Sequence, residues 1–104
     1  MQELRIDLKD KVFVVKKEKD GVRFTINSQS VLIPLSSLPQ VLSFLDCMFY
    51  GILKENQSVQ GIDGYLVFLR GQDKWGIRVG REDSREVVYL TRMDLRTLFY
   101  FLLL

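Results

Sequence analysis

Apolar residues recur at every second position over residues 3–9, where Leu4, Ile6 and Leu8 alternate with Arg5, Asp7 and Lys9. That period of two predicts a half-buried strand. Residues 12–17 form a β-branched and aromatic run that ends in lysines, and Lys19-Asp20-Gly21 follows as a predicted hairpin turn, with Asp-Gly supplying positive φ. Val22, Phe24 and Ile26 then alternate with Arg23, Thr25 and Asn27. Residues 31–35 predict a central or covered strand, with Pro34 at its terminus or on an edge. The period changes after Ser36. Apolar positions 38, 41, 42, 45, 48 and 49 lie on one helical stripe, opened by a Ser37/Gln40 capping box with Pro39 in the first turn and stopped by Gly51.

The second half repeats this order. Residues 54–64 are polar, but Val59 stands where Ile6 stands in the first half, which allows a weak first strand. Residues 65–70 are apolar on both faces, Gly71-Gln72-Asp73-Lys74 predicts a second hairpin turn, and Trp75, Ile77 and Val79 alternate with Gly76, Arg78 and Gly80. A charged loop over residues 81–86 leads to a strand at 87–90. A last helix is capped by Thr91, with Asp94 three residues on. Asp10 and Asp63, Lys17 and Arg70, Asp20 and Asp73, and Ile26 and Val79 all differ by 53. After two extra residues, Leu35 and Leu90, Ser36 and Thr91, Leu38 and Met93, and Phe44 and Phe99 differ by 55. The chain therefore reads as two pseudo-repeats, about 3–51 and 57–104, each of antiparallel strands followed by one helix. The class is α+β, with sheet packed on helices. Either copy alone is too small to fold well, so a single domain with one shared core is expected.

The last helix breaks the pattern of a surface helix. Residues 98–104 are apolar around the full circumference, so they are expected to be covered on every side, by a larger core or by a second chain. Leu98, Phe101 and Leu102 are the candidate oligomer-interface residues.

Composition removes whole classes of chemistry. The chain has 104 residues, 47% hydrophobic and 27% charged, which is ordinary globular usage. It contains no histidine, hence no imidazole base and no His-dependent triad or metalloprotease motif. Cys47, the only cysteine, sits at helical spacing among Phe44, Met48 and Phe49 and reads as a small buried hydrophobe. The glycines near Trp75 open no helix and so form no phosphate loop. Glu82, Asp83 and Glu86 are interleaved with Arg81 and Arg85, which reads as self-neutralised loop charge rather than a metal site. The expectation is a non-enzyme with no cofactor and no metal. With no 18-residue apolar segment and no signal-like start, it is also expected to be intracellular and not membrane-inserted.

The net charge is only +2, so an anionic partner requires the cations to be concentrated on one face. Lys16, Lys17, Lys19 and Arg23 surround the first predicted hairpin, and Arg70, Lys74, Arg78 and Arg81 the second. Phe13 and Phe24 in one copy, and Tyr65 and Trp75 in the other, lie beside them. Sheets that mix aromatics with Lys and Arg can stack bases while holding phosphates. Trp75 has two readings: it can lie in the core with Ile77 and Val79, or stack from the surface.

Residues 13–26 (FVVKKEKDGVRFTI) with 33–38 (IPLSSL), and 66–79 (LVFLRGQDKWGIRV) with 88–93 (VYLTRM), give the chain a topology that resembles the Whirly, PUR and positive-cofactor type of single-stranded nucleic-acid-binding domain. The resemblance implies that a curved antiparallel sheet carries single-stranded DNA or RNA while helices pack on its other face. Carried over by position, it makes Lys17, Arg23, Arg70, Lys74 and Arg78 phosphate contacts and Trp75 a stacking residue. The rival expectation is a structural or adaptor subunit that assembles through its apolar helices, as a homo-oligomer or with another protein.

Overall fold

A computed structural model describes residues 2–71 and 74–104. Four strands, β1 (Glu3–Asp7), β2 (Val12–Glu18), β3 (Gly21–Ile26) and β4 (Gln29–Pro34), form an antiparallel meander followed by helix α1 (Leu38–Phe49). The order repeats in β5 (Gln57–Gln60), β6 (Tyr65–Arg70), β7 (Trp75–Gly80), β8 (Val87–Leu90) and helix α2 (Arg92–Leu103). The protein is thus α+β, with two four-stranded sheets and helices packed on them.

Period-2 alternation and strand register together decide which side chains meet. In the first sheet Leu4 pairs with Val15, Val15 with Phe24 and Phe24 with Val31, while Ile6 pairs with Phe13 and Phe13 with Ile26. These residues form one face, and those on β2, β3 and β4 are fully buried. In the second sheet Val59, Leu66 and Val79 line up across three strands, as do Phe68, Ile77 and Val88. β3 and β4 lie against β6 and β7, so both inner faces enter one hydrophobic cluster.

The helices cross over. α1 packs on β5 and β6, where Phe44 meets Phe68 with ring centroids 5.5 Å apart. α2 packs on β1 and β8, and the two helices pack against each other. Each copy's apolar face is therefore sealed partly by the helix of the other copy.

The repeat is also visible in the turns. Leu8 N–H donates to Lys11 C=O at 2.8 Å, and the matching residues 53 positions on, Gly61 and Gly64, make the same bond at 2.7 Å. The second turn is fastened to the first sheet: Ile62 N–H donates to Leu32 C=O at 2.9 Å, and Leu32 N–H donates to Asp63 Oδ1 at 2.8 Å. In the other direction, Lys11 Nζ donates to the C=O of Val87, which matches Leu32 at a separation of 55. Each copy thus places its first turn on the other copy's last strand.

Several local expectations need correction. The first hairpin loop is Lys19-Asp20, with Glu18 paired to Gly21, and neither Asp20 nor Gly21 takes positive φ. Gly21 is required because a side chain there would collide with the backbone of Ile33 and Pro34 on β4. The left-handed residue lies in the next turn, at Asn27 with φ of 52°. Ser37 does not cap α1 through its side chain, because a 3₁₀ turn, Leu35–Ser37, runs directly into the helix and holds Ser37 in helical geometry. Gly51 does end α1, at φ of 70°, with Ile52 N–H reaching Cys47 C=O and Gly51 N–H reaching Met48 C=O. The Thr91/Asp94 capping box of α2 is present in both directions. Gln72 and Asp73, and with them the second hairpin turn, lie outside the described residues.

α2 is not covered on every side. Leu95, Leu98 and Leu102 enter the chain's own core and Phe101 is half-buried, whereas Met93, Tyr100, Leu103 and Leu104 stay exposed. Its three buried leucines already supply a helix-wide stripe for sheet packing, so the remaining apolar residues face outward.

Phe68, fully buried where α1 seals the second sheet, is expected to lose about 3–5 kcal/mol of stability on Phe68→Ala. Urea unfolding checks this, and a loss below about 1 kcal/mol would mean that α1 does not seal the sheet there.

Candidate nucleic-acid interface

Each sheet has a second face that no helix fills. On the first sheet the register places Arg5, Val14, Lys16, Arg23, Thr25, Ser30 and Leu32 there, all exposed or half-buried. On the second it places Ser58, Tyr65, Val67, Leu69, Arg78, Val87 and Tyr89 there, and of these only Val67 is buried.

The expected site residues divide between the two sides. Lys17, Arg70 and Trp75 have the alternation of the helix-facing side. Lys17 Nζ rests 4.7 Å from the ring centroid of Phe101 on α2. Arg70 Nη1 donates to Lys54 C=O at 2.8 Å, and its backbone N–H donates to Asn56 Oδ1 at 2.7 Å. Trp75 is partly buried and packs against the core, with Ile77 and Val79 on its face. The basic pair that recurs between the copies is therefore engaged in holding helix and loop onto sheet.

Arg23 and Arg78 are on the open faces, but both are already committed. Arg23 Nε donates to Glu18 at 3.1 Å, and its Nη1 contacts Ser30 Oγ at 3.2 Å and Asp63 at 3.3 Å. Arg78 Nη1 contacts the carbonyls of Arg81, Glu82 and Ser84 at 3.2 to 3.4 Å, which shapes the charged loop. Lys74 is exposed just before β7, apart from these faces. The six expected contacts do not converge.

The open faces also hold Tyr89 and Arg5, which the sequence did not single out, and Lys16 and Tyr65, which it placed beside the hairpins but not among the contacts carried over. Tyr89 is 55% exposed, and its ring lies across Gly76 toward Leu69: a Cβ on Gly76 would stand 3.2 Å from both. Tyr65 is half-buried on the same face. Lys16 is exposed on the first sheet, and Arg5 is paired with Asp7 at 3.1 Å. The signal was present in the alternation, since Tyr89 lies between inward Val88 and Leu90 as Arg78 lies between Ile77 and Val79.

Between the sheets, Asp63 is the electrostatic centre. Partial burial pushes its carboxyl upward, but the Leu32 amide and the Arg23 guanidinium outweigh that and hold it below its ordinary value of 3.8. Glu86 sits 3.9 Å from Lys11 and accepts a bond from Asn27 Nδ2 at 3.2 Å.

Among the described residues there is no group of three His, Cys, Asp or Glu side chains able to hold a metal, and no helix is long and apolar enough to cross a membrane. Comparison with protein-family models, with curated proteins and with solved structures finds no match.

A carboxylate favoured in the folded state contributes stability above its unfolded pKa and loses that contribution as pH falls through the folded value. Asp63→Asn is therefore expected to lower stability at neutral pH and to flatten the fall in stability below about pH 4. Thermal melting from pH 2 to 7 checks this; a variant with an acid limb parallel to the wild type would remove Asp63 from that role.

Proposed function

We propose that this protein is a non-enzymatic module that binds single-stranded DNA or RNA across the open faces of its two sheets, by base stacking and electrostatic capture with little sequence preference. The observation that carries the reading is the second sheet's open face, where Tyr89 is exposed and Tyr65, Leu69 and Val87 are half-buried beside it. Aromatic rings fixed on strands present a π-face to any base, and backbone phosphates then need only scattered cations. The duplicated strand and helix order, and its resemblance to the Whirly, PUR and positive-cofactor domains, fit the same reading. The stacking residue is Tyr89 rather than Trp75, supported by Tyr65, and Lys16 is the open-face cation of the first sheet.

Titration of a labelled single-stranded oligonucleotide at low salt is expected to show binding that Tyr89→Ala weakens by about 1–3 kcal/mol, or roughly 5- to 150-fold. Lys17→Gln, on the helix side, should leave affinity nearly unchanged. No binding at low salt, or equal affinity of the Tyr89→Ala protein, would end the reading.

A second reading rests on α2. Met93, Tyr100, Leu103 and Leu104 are exposed apolar residues of α2 and its end, and Tyr50 and Ile52 are exposed beyond the end of α1. Several exposed large apolar side chains on one element point to an assembly surface, so the helix side is where the chain would join a second copy or another protein as a structural subunit. Light scattering over a dilution series is expected to show a mass above that of the single chain, returning to monomer in a Met93→Lys, Leu103→Lys double variant. A wild-type protein that is monomeric at every concentration excludes self-assembly.

A further inference from the structure

The large apolar side chains left in solvent are unevenly placed. Among the described residues, six of nine lie on α2 and its end or just past α1, so the uncovered apolar surface belongs to the helix layer more than to the sheets. Met93, Arg96, Tyr100 and Leu104 follow one another at helical spacing and are all exposed, which makes them one outward stripe along α2. Between the two helices opens a cavity of about 140 Å³, walled by Phe49, Tyr50, Phe99 and Tyr100, and its charged lining residues are Asp46 and Arg96.

The helices carry four charges, and two are engaged within the chain. Arg92 Nε donates to the Phe49 carbonyl at 3.1 Å, and Asp94 accepts from the Thr91 amide at 3.2 Å as part of the cap. Asp46 and Arg96 are the other two. Both are exposed and line the same cavity, yet neither forms an ion pair with the other or with any other described residue. Arg96 is held in place all the same: its guanidinium lies 4.7 Å from the Phe49 ring centroid and 5.2 Å from that of Tyr100, and Nη2 donates to the Tyr100 hydroxyl at 3.1 Å. A guanidinium fixed in this way loses little freedom when a carboxylate meets it. Lys54 and Glu55, exposed beyond Ile52, add one charge of each sign.

This balance of signs selects the partner. A strongly acidic or strongly basic partner needs an excess of the opposite charge, and the helix layer has none. In a two-fold interface one patch meets itself, so it must be apolar and must carry matched charges at different places. We propose that the helix layer is a two-fold interface between two copies of this chain, in which the α2 stripes pack together and Asp46 pairs with the partner's Arg96 on each side of the axis. This rests on the second reading above, that the helix side is an assembly surface, and names the partner. The open sheet faces take no part in it.

The test is sedimentation equilibrium of the full chain over a dilution series, with Asp46→Arg, Arg96→Asp and the double variant that carries both. The wild type is expected to be a dimer that dissociates on dilution. Each single variant sets like charges against each other on both sides of the axis and should raise the dissociation constant by roughly tenfold or more. The double variant restores both pairs with the signs exchanged. An equimolar mixture of the two single variants should likewise recover a dimer, made of one chain of each, and circular dichroism establishes that every variant is folded. Contacts that Arg96 makes within its own chain cannot produce that recovery. Wild-type assembly shared equally by all variants overturns the two-fold pairing and leaves assembly through the helix side standing; a wild type that is monomeric at every concentration overturns both. Single variants that dissociate with no recovery in the mixture or the double variant overturn the pairing, since Arg96 then acts at home. A mass that climbs past two chains with concentration marks head-to-tail contact and overturns the two-fold arrangement.

Discussion

The structure depends on a sheet having two faces and each copy having one that must be kept from water. A four-stranded meander with Phe13, Val15, Phe24 and Ile33 on one side would, alone, leave that whole apolar face in water. The helix that follows it in sequence does not finish the job either, since α1 lies on β5 and β6 of the other sheet. Exchange of helices resolves this by letting two small sheets share one core, and it commits the opposite faces to solvent. Everything that the protein can offer a large ligand on its sheets follows from that assignment.

Much of the architecture was readable from the chain. Alternation and apolar runs located seven of the strands, the repeat register allowed a weak β5 at Val59, and the Thr91/Asp94 pair announced the last helix. Local chemistry was less reliable where neighbours distant in sequence intervened. Ser37 looks like a cap, yet the preceding 3₁₀ turn claims its backbone, and Gly21 looks like a turn residue, yet it is small because β4 passes close by. The outward stripe on α2 was hidden for a related reason: residues 98–104 are uniformly apolar, so only packing decides that Leu98 and Leu102 go in and Leu103 stays out.

The candidate site was harder to read because charge was considered by nearness in sequence. Lys17 and Arg70 recur at a fixed separation, and that recurrence invited a functional role. In three dimensions they recur as fasteners, one over the Phe101 ring and one on the Lys54 carbonyl. Arg78 and Tyr89 illustrate the converse. They stand eleven positions apart in sequence, yet the register of β7 on β8 sets Arg78 opposite Val87 and Gly76 opposite Tyr89, which brings them to one surface. Pairing register, more than residue type, separates a binding surface from a scaffold.

The crossing of the helices also bears on the order in which the molecule can be made. Hairpins of the first sheet close between neighbours and can form as soon as they are synthesised. The apolar side of β1, however, waits for α2, whose contacts lie nearly the full length of the chain away. Until then the nascent first half carries a finished sheet with one wet apolar flank, a surface prone to mispairing with another nascent chain. Its fast local steps are thus held in suspense by a single late, long-range one.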